Sequence, residues 1–250
     1  MLPGERLVPV PLTRDGRPVR AWLSVVPSEA QAALFPRSHE WLHPSEMVQW
    51  QSMGSERRRM GYLVGRYAAK RAAGRYLRTE ALEAVEVANG VFQQPILRFP
   101  ARDIPHVTLC HTERLALAVA HEPDHVLGID AEPLDDTRAH VLRPILSGSE
   151  RALLGGLALS ELNALFLLWT AKEALSKALR CGLTVPLGVL ETDSMAWTGA
   201  GDLRCTFTSF PQYQGRCALA RGHAVALVLP KETQLNDSIR SLVDGAGAWT

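Results

Sequence analysis

One six-residue pattern occurs twice in the sequence, and it limits the possible folds more than any other feature. Tyr67-Ala68-Ala69-Lys70-Arg71-Ala72 matches Trp169-Thr170-Ala171-Lys172-Glu173-Ala174 as an aromatic residue, any residue, Ala, Lys, any residue and Ala. Each copy lies in a long stretch with helical spacing of apolar residues, flanked by strand-like runs. We therefore predict an α+β fold of two similar halves related by a pseudo-twofold axis. Because Ala and Lys both favour helices, chance recurrence explains this match alone equally well.

Local signals give the expected boundaries. We predict an N-terminal half at residues 1–123, a C-terminal half at residues 124–235 and a polar, flexible tail at residues 236–250. Helices are expected to begin at Pro44, after Ser55, at the Ser147 capping box and after Ser160, and the last of them to stop near Gly182. Strands are expected at residues 19–26, 84–88, 107–110, 115–120, 126–132 and 225–229.

Composition excludes several classes of protein. The chain has 250 residues, of which 46% are hydrophobic and 21% charged, as in ordinary globular domains. Its net charge of +1 provides no overall field for nucleic acid or an anionic membrane. Its densest apolar run, residues 164–169, is far shorter than the roughly 20 residues that span a bilayer. The four cysteines lack metal-ligand or disulfide spacing. We predict a cytoplasmic protein with neither a nucleic-acid nor a membrane partner.

Two carboxylates are expected to project from one strand. In Gly128-Ile129-Asp130-Ala131-Glu132, alternation places Gly128, Asp130 and Glu132 on one face and directs the other residues to the core. Like charges held together repel, and a bound cation relieves that repulsion. Mg²⁺ prefers such oxygen ligands, and Gly128 is expected to leave room for a ligand. The alternative is a solvated strand end, where water screens both charges.

A third carboxylate and an amine are expected on the second long helix. Glu173 and Lys177 are four residues apart and share a helix face. The simpler interpretation is a surface ion pair worth roughly 0.2–0.5 kcal/mol. His111 at a strand end adds a weak signal for phosphate binding and fits a structural histidine equally well. The basic stripe of Arg57-Arg58-Arg59 with Arg66 and Lys70 adds another, although such a stripe is usually a solvated helix face. The sequence contains no P-loop, no G-x-G-x-x-G after a strand and no zinc signature.

These segments, in their order along the chain, closely resemble the 4'-phosphopantetheinyl transferases of the Sfp/EntD type. That signature reads G-[IV]-D-x-E followed by W-x-x-K-E-x-x-x-K, which here is Gly128 to Glu132 and Trp169 to Lys177. His111 precedes both motifs, and residues 58–66 are similar to the arginine-bearing helix of the EntD-like branch. The resemblance implies a pseudo-dimer of two α+β halves with coenzyme A and the active site in the cleft between them.

The resemblance also implies roles for individual residues. Asp130, Glu132 and Glu173 would bind Mg²⁺, and Lys177 would contact the coenzyme A pyrophosphate. The coenzyme's phosphates would be held by His111, Arg58 and Arg66. The chain departs from the family at Gln93-Gln94-Pro95, where many members have Gly-Lys-Pro. Gln94 is therefore expected at the coenzyme site without that charge. Cys110 stands where a serine commonly precedes the histidine.

The implied reaction transfers 4'-phosphopantetheine from coenzyme A to a serine of an acyl or peptidyl carrier protein, and releases adenosine 3',5'-bisphosphate. Glu173, or a water that it orients, would act as the base, and Lys177 would neutralise developing charge. The carrier would dock on residues 135–154, and a monomer would suffice. Two alternatives remain open: a non-catalytic module that binds coenzyme A or a carrier protein, and an Mg²⁺-dependent phosphodiesterase.

Overall fold

Residues 2–245, the part that the computed structural model describes, form a mixed α/β structure with two units. The first unit runs to Leu12 and continues over Pro18–His125, and the second comprises Thr13–Arg17 and the chain from Val126 onward. Among the described residues, no helix has both the length and the apolar character needed to cross a membrane.

The first unit contains one long helix packed on an antiparallel sheet. The sheet has the order β1-β4-β8-β7, and α3 packs on its three last strands. A separate hairpin is formed by β5 and β6. The bounds are β1 Arg6–Pro9, β4 Ala21–Pro27, α1 Ser28–Leu34, α2 Pro44–Gln51, α3 Glu56–Leu77, β5 Glu86–Asn89, β6 Pro95–Arg98, β7 His106–His111 and β8 Leu115–His121.

The second unit repeats this plan with a larger sheet. Its sheet has the order β10-β11-β12-β13-β9, and α6 packs on β13 and β9. The tip of the β2–β3 hairpin, Thr13–Arg17, groups with this unit, where β2 neighbours β14. The hairpin strands are β2 Leu12–Arg14 and β3 Arg17–Val19, of which Leu12, Pro18 and Val19 belong to the first unit. The other bounds are β9 Gly128–Pro133, α4 Asp136–Leu142, α5 Gly148–Gly156, α6 Glu161–Ala178, β10 Thr192–Trp197, β11 Leu203–Phe207, β12 Tyr213–Ala220, β13 His223–Pro230, β14 Thr233–Leu235 and α7 Ile239–Asp244.

The helix signals in the sequence agree with the structure. Ser55 accepts a hydrogen bond from the Arg58 backbone N–H, and Ser160 accepts one from that of Asn163. Side-chain caps of this kind satisfy backbone donors that the first turn leaves open. The expected tail differs from the structure, because Ser238 caps α7. Residues 246–250 of that tail lie outside the described residues.

A buried ion pair links three elements of the first unit. Lys70 on α3 places its Nζ 2.6 Å from Oε2 of Glu46, and both side chains are buried. Glu46 also closes the capping box of α2 by accepting from the His43 N–H at 2.9 Å. Its other oxygen accepts from the Val87 N–H of β5 at 2.8 Å. One carboxylate therefore joins two helices and a strand.

The second unit contains the same arrangement. Lys172 on α6 donates to Oε2 of Glu150 at 2.7 Å, and both side chains are buried. Glu150 closes the capping box of α5 by accepting from the Ser147 N–H at 3.0 Å. Its other oxygen accepts from the Thr192 N–H of β10 at 2.9 Å. The two lysines of the sequence repeat thus make equivalent contacts, which favours a true repeat over chance recurrence.

We predict that Lys172→Met destabilises the protein by about 3–5 kcal/mol, because it leaves the Glu150 carboxylate buried without its cation. Urea unfolding with a tryptophan fluorescence readout measures the change. Lys70→Met should give a loss of similar size in the first unit. Arg143→Met removes the exposed Arg143–Glu161 pair instead, and should cost less than about 1 kcal/mol. A Lys172→Met effect no larger than that of Arg143→Met would contradict this role.

Candidate functional site

The strand β9 directs its two acidic side chains towards α6. Asp130 lies opposite Ala226 of β13 and Glu132 lies opposite Ala224, as the antiparallel register requires. Both alanines belong to the apolar core on which α6 packs. Small side chains at these positions leave space beside the carboxylates. The prediction that Asp130 and Glu132 share a face is confirmed.

One detail of that prediction is wrong. This face of the strand gives no room for a ligand at Gly128, because Gly128 and Asp130 are both buried. Gly128 makes room for the helix rather than for a ligand. A Cβ atom at this position would lie 2.6 Å from the Ala178 N and closer still to the Ala174 O. Glycine is required here because the backbones of β9 and α6 come so close together.

Three carboxylates meet where α6 crosses β9. Asp130, Glu132 and Glu173 each place one oxygen within 4.8 Å of the other two. Asp130 is buried, and its Oδ2 has no hydrogen-bond partner. A buried carboxylate oxygen without a partner is costly, and a cation would satisfy it. The donor set, three hard oxygens from three side chains, is the type that binds Mg²⁺.

Two basic side chains reach this cluster. Lys177 places its Nζ 2.6 Å from Oδ1 of Asp130, so it extends across to β9 and is more than a surface partner of Glu173. Arg138 on α4 donates to Oε2 of Glu132. The sequence motifs include Lys177 but omit Arg138. The only sequence signal for Arg138 was that it is a basic residue in the helix that follows the acidic strand.

The cluster strongly changes the titration of Glu173. Burial, and then the nearby charges of Asp130 and Glu132, raise the pKa of Glu173 to about 9. In the ion-free protein this carboxyl group is therefore protonated at neutral pH. The proton offsets part of the like-charge repulsion that a cation would relieve.

In the first unit, His111 lies at the end of β7 against two glycines of α3. A Cβ atom at Gly61 would be 2.7 Å from the His111 Cε1, and one at Gly65 would be 3.2 Å from its Cδ2. The imidazole therefore needs glycine at both positions. A pocket of about 480 Å³ opens beside it. The lining residues are Glu56, Arg57, Met60, Gly61, Val64, His111, Thr112 and Glu113.

The other predicted coenzyme contacts lie in different environments of the first unit. Arg58 is exposed, whereas its neighbour Arg57 lines the pocket beside His111. Arg66 is buried, and its Nη2 donates to Oδ1 of Asn89 at 2.7 Å. Gln94 accepts from the Phe92 N–H at 2.9 Å and so closes its own turn between β5 and β6. Their roles towards a coenzyme stay predictions.

A comparison with known protein families identifies the second unit. Residues 126–228 match the 4'-phosphopantetheinyl transferase superfamily. That range contains Asp130, Glu132, Glu173 and Lys177, so the resemblance inferred from the motifs is confirmed. No curated protein matches the chain.

Three solved structures align with part of the chain. A holo-(acyl-carrier-protein) synthase from Bacillus anthracis str. Ames, in complex with CoA (3',5'-ADP), is 19% identical, with 46% of this chain and 96% of that one aligned and a TM-score of 0.37. The holo-ACP-synthase of Plasmodium yoelii is 11% identical, with coverages of 47% and 96% and a TM-score of 0.36. The holo-[acyl-carrier-protein] synthase of Thermotoga maritima is 20% identical, with coverages of 56% and 76% and a TM-score of 0.31.

We predict that the ion-free protein loses stability as the pH rises. Glu173 has a folded-state pKa of about 9 against an ordinary 4.5, so between these values the folded chain holds a proton that the unfolded chain has lost. This stabilising contribution is complete below the unfolded pKa and disappears as the pH approaches 9. Glu173→Gln, which cannot ionise, should show a smaller decline. Urea unfolding in EDTA at several pH values measures both slopes, and equal slopes would contradict the shift.

Proposed function

We propose that this chain, whose residues 126–228 belong to the 4'-phosphopantetheinyl transferase superfamily, transfers 4'-phosphopantetheine from coenzyme A to a serine of an acyl or peptidyl carrier protein. The reaction is Mg²⁺-dependent and releases adenosine 3',5'-bisphosphate. One observation carries the proposal. Asp130, Glu132 and Glu173 converge within 4.8 Å, with Lys177 on Asp130, inside the range that matches the superfamily.

The reaction sets two chemical requirements. The serine Oγ forms a bond to the β-phosphorus of coenzyme A, and the bond from that phosphorus to the bridging oxygen breaks. The bridging oxygen leaves with adenosine 3',5'-bisphosphate, and the serine proton passes to a base. The site must therefore stabilise negative charge on phosphate oxygens and must accept a proton.

The three carboxylates fit a resident Mg²⁺ ion. Asp130, Glu132 and Glu173 would hold it, and the unpartnered Oδ2 of Asp130 is the donor most in need of a cation. When bound, the ion supplies Lewis-acid stabilisation of the pyrophosphate. Binding it requires Glu173 to release the proton that the raised pKa retains.

Lys177 supplies a positive charge from the protein itself, in addition to the charge of the metal ion. Its side chain is 30% exposed, so a phosphate that approaches from solvent can contact it. A fixed ammonium at the edge of the carboxylates stabilises charge that develops on the diphosphate leaving group.

Glu173 is the nearest candidate for the base that takes the serine proton. A carboxylate that also binds a cation is a weaker base, so its two roles compete.

The proposal extends to the coenzyme. His111, with its pocket of about 480 Å³, together with Arg58, Arg66 and Gln94 would hold the coenzyme's phosphates. For Arg66, a phosphate contact competes with its present bond to Asn89. The pseudo-twofold relation of the halves and the coenzyme cleft, which the resemblance implies, are parts of this proposal. The two equivalent buried Lys–Glu pairs support the internal likeness of the two halves.

The carrier protein is proposed to dock on residues 135–154. Here Val141 of α4 is 54% exposed, and Arg143, the residue that follows the end of α4, is exposed as well. Carrier proteins are generally acidic, so such a surface suits them by charge and by contact.

Incubation of the full chain with coenzyme A, Mg²⁺ and a panel of apo carrier domains tests the function, with intact-mass spectrometry of each carrier as readout. We expect one carrier to gain the mass of one phosphopantetheine. Adenosine 3',5'-bisphosphate without a modified carrier would indicate a phosphodiesterase instead. Neither product from any carrier would indicate a non-catalytic module. Either result would overturn the proposal.

Asp130→Asn and Glu173→Gln should each lower carrier modification by at least about 1,000-fold, because either change removes a charged oxygen from the cluster. The initial rate of holo-carrier formation measures the loss. Glu232→Gln changes an exposed glutamate of the same unit, outside the cluster and the proposed docking segment, and serves as the control. Variants with the wild-type rate would contradict the site assignment.

Lys177→Ala should slow the same reaction by about 100-fold or more, since it removes the only ammonium that contacts the described cluster. Lys177→Arg should recover part of the rate. If the rate of the Lys177→Ala variant is within twofold of the wild-type rate, Lys177 only pairs with Asp130 and does not take part in the reaction.

A further inference from the structure

Glu132 is a partly exposed member of the carboxylate cluster. Its side chain is 17% exposed, compared with 5% for that of Asp130. It is the last but one residue of β9, which ends at Pro133. A glutamate side chain loses considerable rotamer entropy when it is held in one orientation. A partner that fixes its orientation therefore helps to keep this carboxylate on the cluster.

Arg138 is the side chain that holds Glu132 on the cluster. Its Nη1 donates to Oε2 of Glu132. The guanidinium carbon also lies 6.0 Å from the ring centroid of Phe166, a fully buried residue of α6. The planar guanidinium therefore contacts the carboxylate and an aromatic side chain of the helix that carries Glu173.

The start of α4 fixes the position of Arg138 itself. Asp135 caps this helix. Its Oδ1 accepts two hydrogen bonds from Thr137, one from the backbone N–H at 2.9 Å and one from the Oγ1 hydroxyl group at 2.6 Å. The Arg138 N–H donates to the Asp135 carbonyl at 3.0 Å. The base of the arginine side chain is therefore set by a capped turn.

We infer that Arg138 is a positioning residue that fixes the Glu132 carboxylate for the divalent cation. The inference rests on the proposed function, because it concerns the same three carboxylates. Two of the three carboxylates then each have a basic partner. Lys177 contacts Oδ1 of Asp130, and Arg138 contacts Oε2 of Glu132. Neither contact involves Glu173, the carboxyl group that must lose a proton for the cation.

Arg138 has two opposing effects on a bound cation. Its positive charge repels the ion, whereas its hydrogen bond holds a ligand in place. The repulsion is the smaller effect, because the Arg138 side chain is 42% exposed and its charge is screened by water and by Glu132. Loss of a hydrogen bond that orients a metal ligand typically weakens binding by about 10- to 100-fold. Arg138 therefore increases cation affinity overall.

Titration of the full chain with Mn²⁺, followed by electron paramagnetic resonance of the free ion, tests this inference. Arg138→Met should raise the Mn²⁺ dissociation constant by about tenfold or more, and Arg138→Lys should restore part of the affinity. Arg240→Met is a matched control in the same unit. Arg240 is 43% exposed and pairs with Asp244 on α7, outside the cluster. The control should bind Mn²⁺ as the wild type does.

A second readout separates positioning from catalysis. Arg138 also lies within the proposed docking segment, so this rate is measured with both Mg²⁺ and the carrier at saturation. If Arg138 only positions Glu132, Arg138→Met should then return to near the wild-type rate of carrier modification. Arg138→Gln provides an independent variant of similar length if the Met variant does not fold. An Arg138 variant that binds Mn²⁺ as tightly as the wild type, or more tightly, would overturn the inference alone. A wild-type chain without a Mn²⁺ site at the cluster would overturn the proposed metal centre as well.

Discussion

The close approach of α6 to β9 is the contact on which the candidate site depends. It requires Gly128, because a side chain there would collide with the backbone at Ala174 and Ala178. Once the helix lies this close, Glu173 is held against Asp130 and Glu132, and three carboxylates share a buried space. The high pKa of Glu173 and the contacts of Lys177 and Arg138 follow from that crowding. The fold thus imposes an electrostatic cost that a divalent cation can offset.

The buried ion pair of Lys172 and Glu150 fixes the position of α6 at Lys172, the residue that precedes Glu173. The first unit contains an equivalent pair in Lys70 and Glu46, but the residue that follows Lys70 is Arg71. Arg71 pairs with the buried Glu5 at 2.6 Å, so the position that corresponds to Glu173 carries the opposite charge. The same buried Lys–Glu pair therefore lies beside an acidic cluster in the second unit and beside a basic side chain in the first. This difference restricts the carboxylate site to the second unit.

Local signals in the sequence predicted a large part of the fold. Ser55, Ser147 and Ser160 cap helices as expected, because capping depends on residues only three positions apart. Alternation along β9 predicted that Asp130 and Glu132 share a face, and the four-residue spacing on α6 predicted the same of Glu173 and Lys177. That the two pairs face one another was implied only by the family resemblance. The role of Gly128 and the contact of Arg138 could not be predicted in this way. Both depend on how a helix packs against a strand, which short-range periodicity does not specify. The α7 helix was missed because its short, polar surroundings resemble a tail.

Anomalous scattering from a crystal of the full chain grown with Mn²⁺ tests the central claim most directly. The account predicts one strong peak within bonding distance of carboxylate oxygens from Asp130, Glu132 and Glu173. It also predicts that Glu173→Gln loses this peak while the helix α6 keeps its position on β9. A peak that avoids these three residues, or no peak in a crystal whose carboxylates remain clustered, would contradict the claim that they form a divalent-cation site.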